Sequence, residues 1–274
     1  MMATPKHVAC VEIGGTPISL CTSDRFFLSM VEQRYEPFLS TARARFQLEF
    51  EIIEATAATD DDVRVHRHGS EWQITRGDFL ARWNSRTGTG FVRQNANPYS
   101  LDSVLRILHS LILAEQGGFL LHAASGICKE RAYLFSGVSG AGKTTMTRIA
   151  PPDVRLLTDE ISYIRRFDDA YVAFGTPFAG ELAKAGENCK APIACLFFLE
   201  KGPENRIEEM PSTEAVRRLM RNILFFAEDP DLVNKLLASA CDFVDQVPTR
   251  LLKFYPDARV WNHIRQVEGV PLHV

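Results

Sequence analysis

The stretch that decides the fold is AYLFSGVSGAGKTTMTRIA, residues 132–150. Its centre, GVSGAGKT at 137–144, fits the pattern G-x-x-x-x-G-K-[S/T] of a phosphate-binding loop. The apolar run before the centre predicts a buried strand, and the run after it is compatible with a helix, which is the context that the pattern requires. A chance match in a chain of this length has a probability on the order of one in a hundred.

The residue types in this segment each have a chemical reason. The three glycines let the main chain turn tightly with its N–H groups facing inward, toward a polyphosphate. Lys143 would reach the β and γ phosphates, and the Thr144 hydroxyl would bind Mg²⁺. The alternative is a glycine-rich turn with an exposed lysine. We expect nucleotide contacts from Gly137, Ser139, Gly140, Ala141, Gly142, Lys143, Thr144 and Thr145.

An acidic pair follows the glycine-rich segment closely. Pro151-Pro152 ends the helix after about two turns, and the next apolar run, RLLT, leads directly into Asp159-Glu160. We expect this run to form a strand parallel or adjacent to the loop strand, which brings Asp159 beside the phosphates. There a carboxylate can hold Mg²⁺ or accept the proton of an attacking hydroxyl. The alternative is a solvated acidic pair in a turn.

The composition limits the classes of function. The chain has 274 residues, a net charge of −3 and 46% hydrophobic residues, which excludes disorder, collagen and a coiled coil. So small a charge provides no broad positive field, and nucleic-acid binding is not expected. The six cysteines form no CxxC pair, the first residues lack the zones of a signal peptide, and the most apolar stretch, Leu101 to Ala124, carries charged residues. We therefore expect a cytoplasmic protein that does not enter the membrane.

The residues before the glycine-rich segment predict a β-rich region. Three runs alternate apolar and polar residues, and turn signals at Arg76-Gly77 and Thr87-Gly88 separate them. The runs are EWQIT at 71–75, DFLARWN at 78–84 and TGFVRQ at 89–94. We interpret them as the strands of a β-meander.

After the meander the pattern changes to that of an α/β domain. Apolar residues first recur at helical spacing, up to Gly117-Gly118, and strand candidates then alternate with helix candidates. We place the boundary near Asn97, so that a smaller β-rich domain covers 1–97 and a nucleotide-binding domain covers 98–274. The later helix candidates are 213–226 and 230–241.

Four segments together resemble a known family of kinases. They are LLHAASG (120–126), YLFSGVSGAGKTT (133–145), RLLTDEISYI (155–164) and FGTPFAGE (174–181). Their order is similar to that in the kinase domain of the HPr kinase/phosphorylase family, and more closely to that in its stand-alone relatives from peptide-modification gene clusters, including lasso-peptide kinases. The resemblance implies a phosphoenolpyruvate-carboxykinase-like α/β fold. It also implies transfer of phosphate from a nucleotide to a serine hydroxyl on a peptide or protein.

The resemblance also implies roles for single residues. His122 matches a histidine that lies near the active site in that family, and Asp159 matches the proton-accepting aspartate. Glu160 takes the position of a second acid that helps with the metal, and Glu181 becomes a candidate substrate or metal contact. The chain departs from the family where GKSE is GKTT, and we find no glycine-arginine-asparagine segment of the bifunctional enzymes. Both departures argue against reversal of the reaction.

Three functions share these motifs. The leading hypothesis is an ATP-dependent, Mg²⁺-requiring kinase acting on a peptide or protein hydroxyl, with Lys143, Asp159 and His122 as the catalytic residues. The alternatives are a nucleotide-binding regulatory or assembly protein without transfer, and an ATPase or small-molecule kinase. Intact Lys143, Thr144 and Asp159 favour catalysis. The motifs do not separate ATP from GTP or pyrophosphate, and they leave open whether the chain forms a homo-oligomer.

Overall fold

The computed structural model describes residues 6–54, 62–182 and 185–266 and divides into two compact units. The N-terminal unit consists of Met1–Ile112 with Phe225–Val233, and the C-terminal unit consists of Leu113–Leu224 with Asn234–Val274. The first division falls inside a helix that begins at Pro98. The domain boundary near Asn97 stays a prediction.

The N-terminal unit is built on one seven-stranded sheet with the order β1-β2-β3-β7-β6-β5-β4. The strands are β1 (His7–Ile13), β2 (Thr16–Thr22), β3 (Phe46–Ile53), β4 (Arg64–His68), β5 (Glu71–Arg76), β6 (Phe79–Asn84) and β7 (Thr89–Asn95). Helix α1 (Arg25–Arg34) precedes a short 3-10 helix, Glu36–Phe38, and helix α2 (Pro98–Glu115) follows the sheet in the chain. The antiparallel run β5-β6-β7 confirms the predicted meander, whose alternation buries Trp72 opposite Trp83.

A buried carboxylate fastens α2 within the N-terminal unit. Asp102 is 4% exposed, and it accepts hydrogen bonds from the Tyr35 hydroxyl and from the Arg34 guanidinium. Burial, followed by the charge of Asp102, raises the pKa of Tyr35 well above its ordinary value. Because a buried charge without a partner is strongly destabilising, these contacts fix the position of α2 against the C-terminal end of α1, at Arg34 and Tyr35.

The C-terminal unit contains a second, larger set of strands and the remaining helices. In chain order the elements are β8 (Phe119–Cys128), β9 (Arg131–Ser136), α3 (Lys143–Arg148), β10 (Arg155–Thr158), β11 (Ile161–Phe167), β12 (Ala170–Phe174), β13 (Lys190–Lys201), β14 (Arg206–Glu209), α4 (Ser212–Asn222), β15 (Ile223–Leu224), α5 (Pro230–Gln246), β16 (Thr249–Phe254) and α6 (Val260–Gln266). The chain is therefore a mixed α/β protein in which a β-rich region precedes an α/β region.

Two long strands organise the C-terminal unit. The first half of β8 pairs with β11, and its second half pairs with β9 and with β10. The first residues of β13 pair with β12, and the later ones pair in parallel with β9 and β16. Since β9 and β10 are both antiparallel to β8, they run parallel to each other with β8 between them. The RLLT strand is thus parallel to the loop strand, as expected, but not adjacent to it.

A local signal explains where one helix ends, and a contact with a distant strand explains where another ends. Helix α3 ends at Arg148, shortly before the two prolines that predicted its end. Helix α4 ends at Asn222, four residues before the expected end, because Ile223 and Leu224 instead pair with Leu121 and Leu120 of β8. Among the helices of the described residues, none has the length and apolarity that a membrane crossing requires.

The pH dependence of stability tests the burial of His109. This side chain on α2 is 0% exposed, and burial lowers its pKa to about 3. The unfolded chain binds a proton near pH 6.5, so this contribution to stability is present above that pH and is lost as the pH falls toward the folded pKa. Between about pH 6 and pH 4, we expect the free energy of unfolding to fall more steeply for the parent than for His109→Gln, by about 1.4 kcal/mol per pH unit.

Urea unfolding at a series of pH values provides this measurement. His66→Gln, at an exposed position on β4, is the matched control and should keep the slope of the parent. Parallel curves for the parent and His109→Gln would contradict the prediction.

Candidate functional site

The glycine-rich loop and the acidic pair approach β8 at residues 122–125, where β9 and β10 end on either side of it; this place is called here the edge of β8. Ser136, the last residue of β9, lies opposite Ala123 of β8, and the glycine-rich loop follows it. On the other side of β8, Thr158 lies opposite Ser125 and Ile161 lies opposite His122. The corner between β10 and β11, which holds the acidic pair, therefore lies opposite residues 122–125 of β8, and the loop leaves β9 opposite Ala123 in the same stretch.

His122 occupies the strand between the loop and the acidic corner. Its side chain is half-buried, and its main-chain carbonyl accepts a hydrogen bond from the Ser136 hydroxyl at 2.9 Å. That bond ties the end of the loop strand to the strand of His122. The register thus brings His122 close to both segments that the sequence analysis singled out.

The glycine-rich loop, Gly137–Gly142, requires glycine for two different reasons. Gly140 has φ +75° and Gly142 has φ +115°, both in the region that residues with a Cβ rarely adopt. Gly142 also lacks space, since an added Cβ would lie 2.4 Å from a ring atom of Phe254. The Ala141 N–H closes the turn by donating to the Val138 carbonyl at 3.1 Å.

Phe254 is a residue of this site that sequence reasoning missed. It ends β16 and is 2% exposed, within the core cluster that includes Ala141, Met146 and Trp261. Its ring packs beneath Gly142, so a strand about a hundred residues downstream supports the loop. No local signal in its strand, Thr249–Phe254, points to the loop.

Lys143 is buried within the loop. It is 8% exposed, and its Nζ donates to the carbonyls of Gly137 at 3.0 Å and Val138 at 3.3 Å. Burial lowers the pKa of Lys143, while the negative charges of Glu160 and Glu181 raise it. The ammonium group therefore lies inside the turn, in the field of two carboxylates, and does not extend into solvent as it would from an ordinary surface turn.

Asp159 is buried as well and is held by main-chain donors. It is 3% exposed; Oδ1 accepts the Gly180 N–H and Oδ2 accepts the Leu182 N–H, both at 2.9 Å. The corner itself is shaped by Thr158, whose Oγ1 accepts the N–H groups of Glu160 and Ile161 at 3.2 Å. Asp159 thus differs from a solvated residue in a surface turn.

The connection between β12 and β13 brings Glu181 to the same place. This connection runs along β10: the Thr176 N–H donates to the Leu157 carbonyl, and the Glu187 N–H donates to the Leu156 carbonyl. Gly186 permits this approach, since a Cβ there would lie 1.6 Å from the Leu157 oxygen. Glu181 is exposed at the surface, and its charge acts on Lys143.

The structure brings together most of the residues that the sequence singled out. Lys143, Asp159, Glu160 and Glu181 surround one edge of β8, and His122 lies on that strand. Thr144 and Thr145 are half-buried at the start of α3, beside Ala141, while Ser139 and Gly140 are exposed at the tip of the loop. Within the described ranges, the His, Cys, Asp and Glu side chains do not form a group of three or more that could hold a metal ion by themselves.

Comparisons with known proteins identify a family. A comparison with curated proteins finds no match. Among solved structures, the chain is similar to the Hpr(Ser) kinase/phosphatase from Coxiella burnetii, with 13% sequence identity and a TM-score of 0.26 over 55% of this chain and 93% of that chain. A family model described as SynChlorMet cassette protein ScmC matches residues 95–268, the larger part of the sequence and the whole of the site described above. The chain therefore belongs to the ScmC family of SynChlorMet cassette proteins.

Proposed function

We propose that the chain is a magnesium-dependent kinase that uses ATP to phosphorylate a serine-type hydroxyl of a peptide or protein. One observation carries the proposal: Lys143, buried within the glycine-rich loop, lies at the same edge of β8 as the buried carboxylate of Asp159. Phosphoryl transfer needs a cation against the moving phosphate and a carboxylate for the metal or the proton. The resemblance of four segments to the HPr kinase family supports the same reaction.

The glycine-rich loop would bind the phosphates. Gly137, Gly140 and Gly142 have positive φ and no Cβ, so their main-chain N–H groups would be available to an anion, and concave sets of N–H groups bind anions. Lys143 would exchange its contacts with the Gly137 and Val138 carbonyls for the β and γ phosphates. The bonds to the two carbonyls carry a charge on the donor alone, whereas bonds to phosphate oxygens carry opposite charges on donor and acceptor, so the exchange favours the bound nucleotide.

Magnesium fits the oxygen donors at this edge. Mg²⁺ is commonly bound by one or two carboxylates together with phosphate oxygens and water, so it needs no complete protein cage. The Thr144 hydroxyl and the carboxylates of Asp159 and Glu160 are donors of this kind. When bound, the ion would neutralise negative charge on the phosphate oxygens.

Asp159 would accept the proton of the acceptor hydroxyl. Each of its oxygens accepts one N–H, and a carboxylate oxygen has a second lone pair for a further partner. The hydroxyl oxygen forms a bond to the γ-phosphorus as the bond to the bridging oxygen of ADP breaks, and the proton passes to Asp159. His122, from the strand between the two segments, would donate a hydrogen bond to a phosphate oxygen or orient Asp159.

Removal of the Lys143 side chain tests the phosphate site. We expect Lys143→Ala to weaken the binding of ATP with Mg²⁺ by about 1.5 to 3 kcal/mol, because a charge-assisted contact is lost. Calorimetric titration measures the change. Lys6→Ala, an exposed lysine of the N-terminal unit, is the control and should bind ATP as the parent does. Equal affinities of Lys143→Ala and the parent would show that the loop is only a turn.

Asp159→Asn tests the transfer step. We expect the rate of transfer from γ-labelled ATP to a library of peptide and protein acceptors to fall by about a hundredfold to ten-thousandfold, because the amide cannot accept the proton. Nucleotide affinity should change far less, since proton acceptance, unlike a contact with the metal, takes place only in the transition state. Asn can satisfy only one of the two N–H donors that face Asp159, so the transfer rate and ATP binding must both be measured.

Controls separate the roles that Asp159 could have. Asp169→Asn, at an exposed position between β11 and β12, should transfer phosphate as fast as the parent. A rate restored by high Mg²⁺ would assign Asp159 to the metal. Full transfer by Asp159→Asn at ordinary Mg²⁺ would remove the base assignment, and a parent that binds ATP without any transfer would indicate a nucleotide-binding regulator.

A further inference from the structure

One short segment holds both oxygens of Asp159. The Gly180 N–H bonds to Oδ1 and the Leu182 N–H bonds to Oδ2, each at 2.9 Å. A single hydrogen bond would leave the carboxyl group free to rotate about its broad, two-fold terminal torsion. Two donors, one on each oxygen, fix the plane of the group. The segment Gly180–Leu182 is named here the carboxylate clamp.

Gly180 allows the close approach that the clamp requires. A Cβ at this position would lie 2.8 Å from the Glu160 Cβ and 3.0 Å from the Asp159 Oδ2. Both distances are shorter than ordinary contacts between such atoms, so a side chain would push the segment away from the acidic corner. The reason for glycine at 180 is therefore space against Asp159 and Glu160.

Glu181 extends the clamp toward the glycine-rich loop. It stands between the two amide donors, and its negative charge acts on Lys143, together with that of Glu160. The segment thus contacts Asp159 through the amides of Gly180 and Leu182, and it acts on Lys143 through the charge of Glu181. Among the described residues of the connection, Thr176 and Glu187 anchor it to the main chain of β10 independently of Asp159.

We propose that the carboxylate clamp positions Asp159 for proton acceptance, with Gly180 as the positioning residue. This inference rests on the proposed kinase function for its catalytic meaning. The clamp fixes which lone pairs of Asp159 are used by the protein and which remain for an acceptor hydroxyl. Its loss should therefore lower the turnover number without weakening the binding of nucleotide.

Hydrogen exchange tests the clamp without any assay of activity. In Asp159→Ala, we expect the Gly180 and Leu182 amides to exchange about tenfold faster or more, since each loses its acceptor. The Thr176 and Gly186 amides, which donate to main-chain carbonyls of the same region, are internal controls and should exchange as in the parent. Unchanged exchange at Gly180 and Leu182 would overturn the clamp. Faster exchange at all four amides would also overturn it, because the contact would then hold the whole connection together.

Gly180→Ala tests the effect on transfer. With the acceptor on which the parent is active, we expect the turnover number to fall about tenfold or more, because displacement of a catalytic group by about 1 Å is costly, while the dissociation constant for ATP stays within about twofold. Gly69→Ala is the control for replacement of a glycine in the N-terminal unit: a Cβ there meets no atom within 4 Å, and the strain of alanine at φ +62° acts on the stability of that turn. It should leave both quantities unchanged.

The outcomes separate the clamp from the proposed function. An unchanged turnover number in Gly180→Ala would overturn the positioning role, and so would a loss of ATP affinity as large as the loss of turnover. A parent without transfer to any acceptor, combined with fast exchange at Gly180 and Leu182 in Asp159→Ala, would retain the clamp as geometry and reject the kinase. If Gly180→Ala does not fold, the exchange measurement on Asp159→Ala still decides whether the clamp exists.

Discussion

The pairing of β8 with β9 on one side and with β10 on the other is the constraint on which the site depends. Because both neighbours run antiparallel to β8, their carboxyl ends reach the same edge, and the two segments that follow them leave the sheet side by side. One segment is the glycine-rich loop and the other is the acidic corner at Asp159. His122 lies on β8 itself, so its place between them follows from the register. No long-range contact between side chains is needed to bring these groups together.

Burial of charge explains why the surrounding loops have their conformations. Lys143 and Asp159 are both nearly inaccessible, and an unpartnered charge in such a place would cost several kcal/mol, on the order of 3 to 5. The protein satisfies Lys143 with two loop carbonyls and Asp159 with two main-chain N–H groups. The hydrogen bonds of both charged groups are therefore made with main-chain atoms. Both remain suited to act on a third group, which is what phosphoryl transfer would require.

The sequence predicted the parts of the structure that depend on local order. The glycine-rich segment, the end of α3 before Pro151 and the meander of β5–β7 each follow from neighbouring residues, and all are present. Contacts between distant residues were not predictable in this way. Phe254 beneath Gly142 and the amides of Gly180 and Leu182 on Asp159 depend on how separate strands are arranged, and glycine at 180 appears in the sequence only as part of a common loop. Residues 223–224 look helical by periodicity, but their main chain pairs with β8. Periodicity does not report such a contact with a distant strand.

The charges at the edge of β8 constrain how a kinase built on this site would bind its nucleotide. Asp159, Glu160 and Glu181 are carboxylates, and Lys143 lies in the field of the last two. A polyphosphate without a metal would add negative charge to a place where the described residues already bring these carboxylates together. A divalent ion changes that balance, since it is attracted to the carboxylates and the phosphates at once. The same acidic residues that would repel a free nucleotide would therefore help to retain a metal-bound one, and the two should bind together.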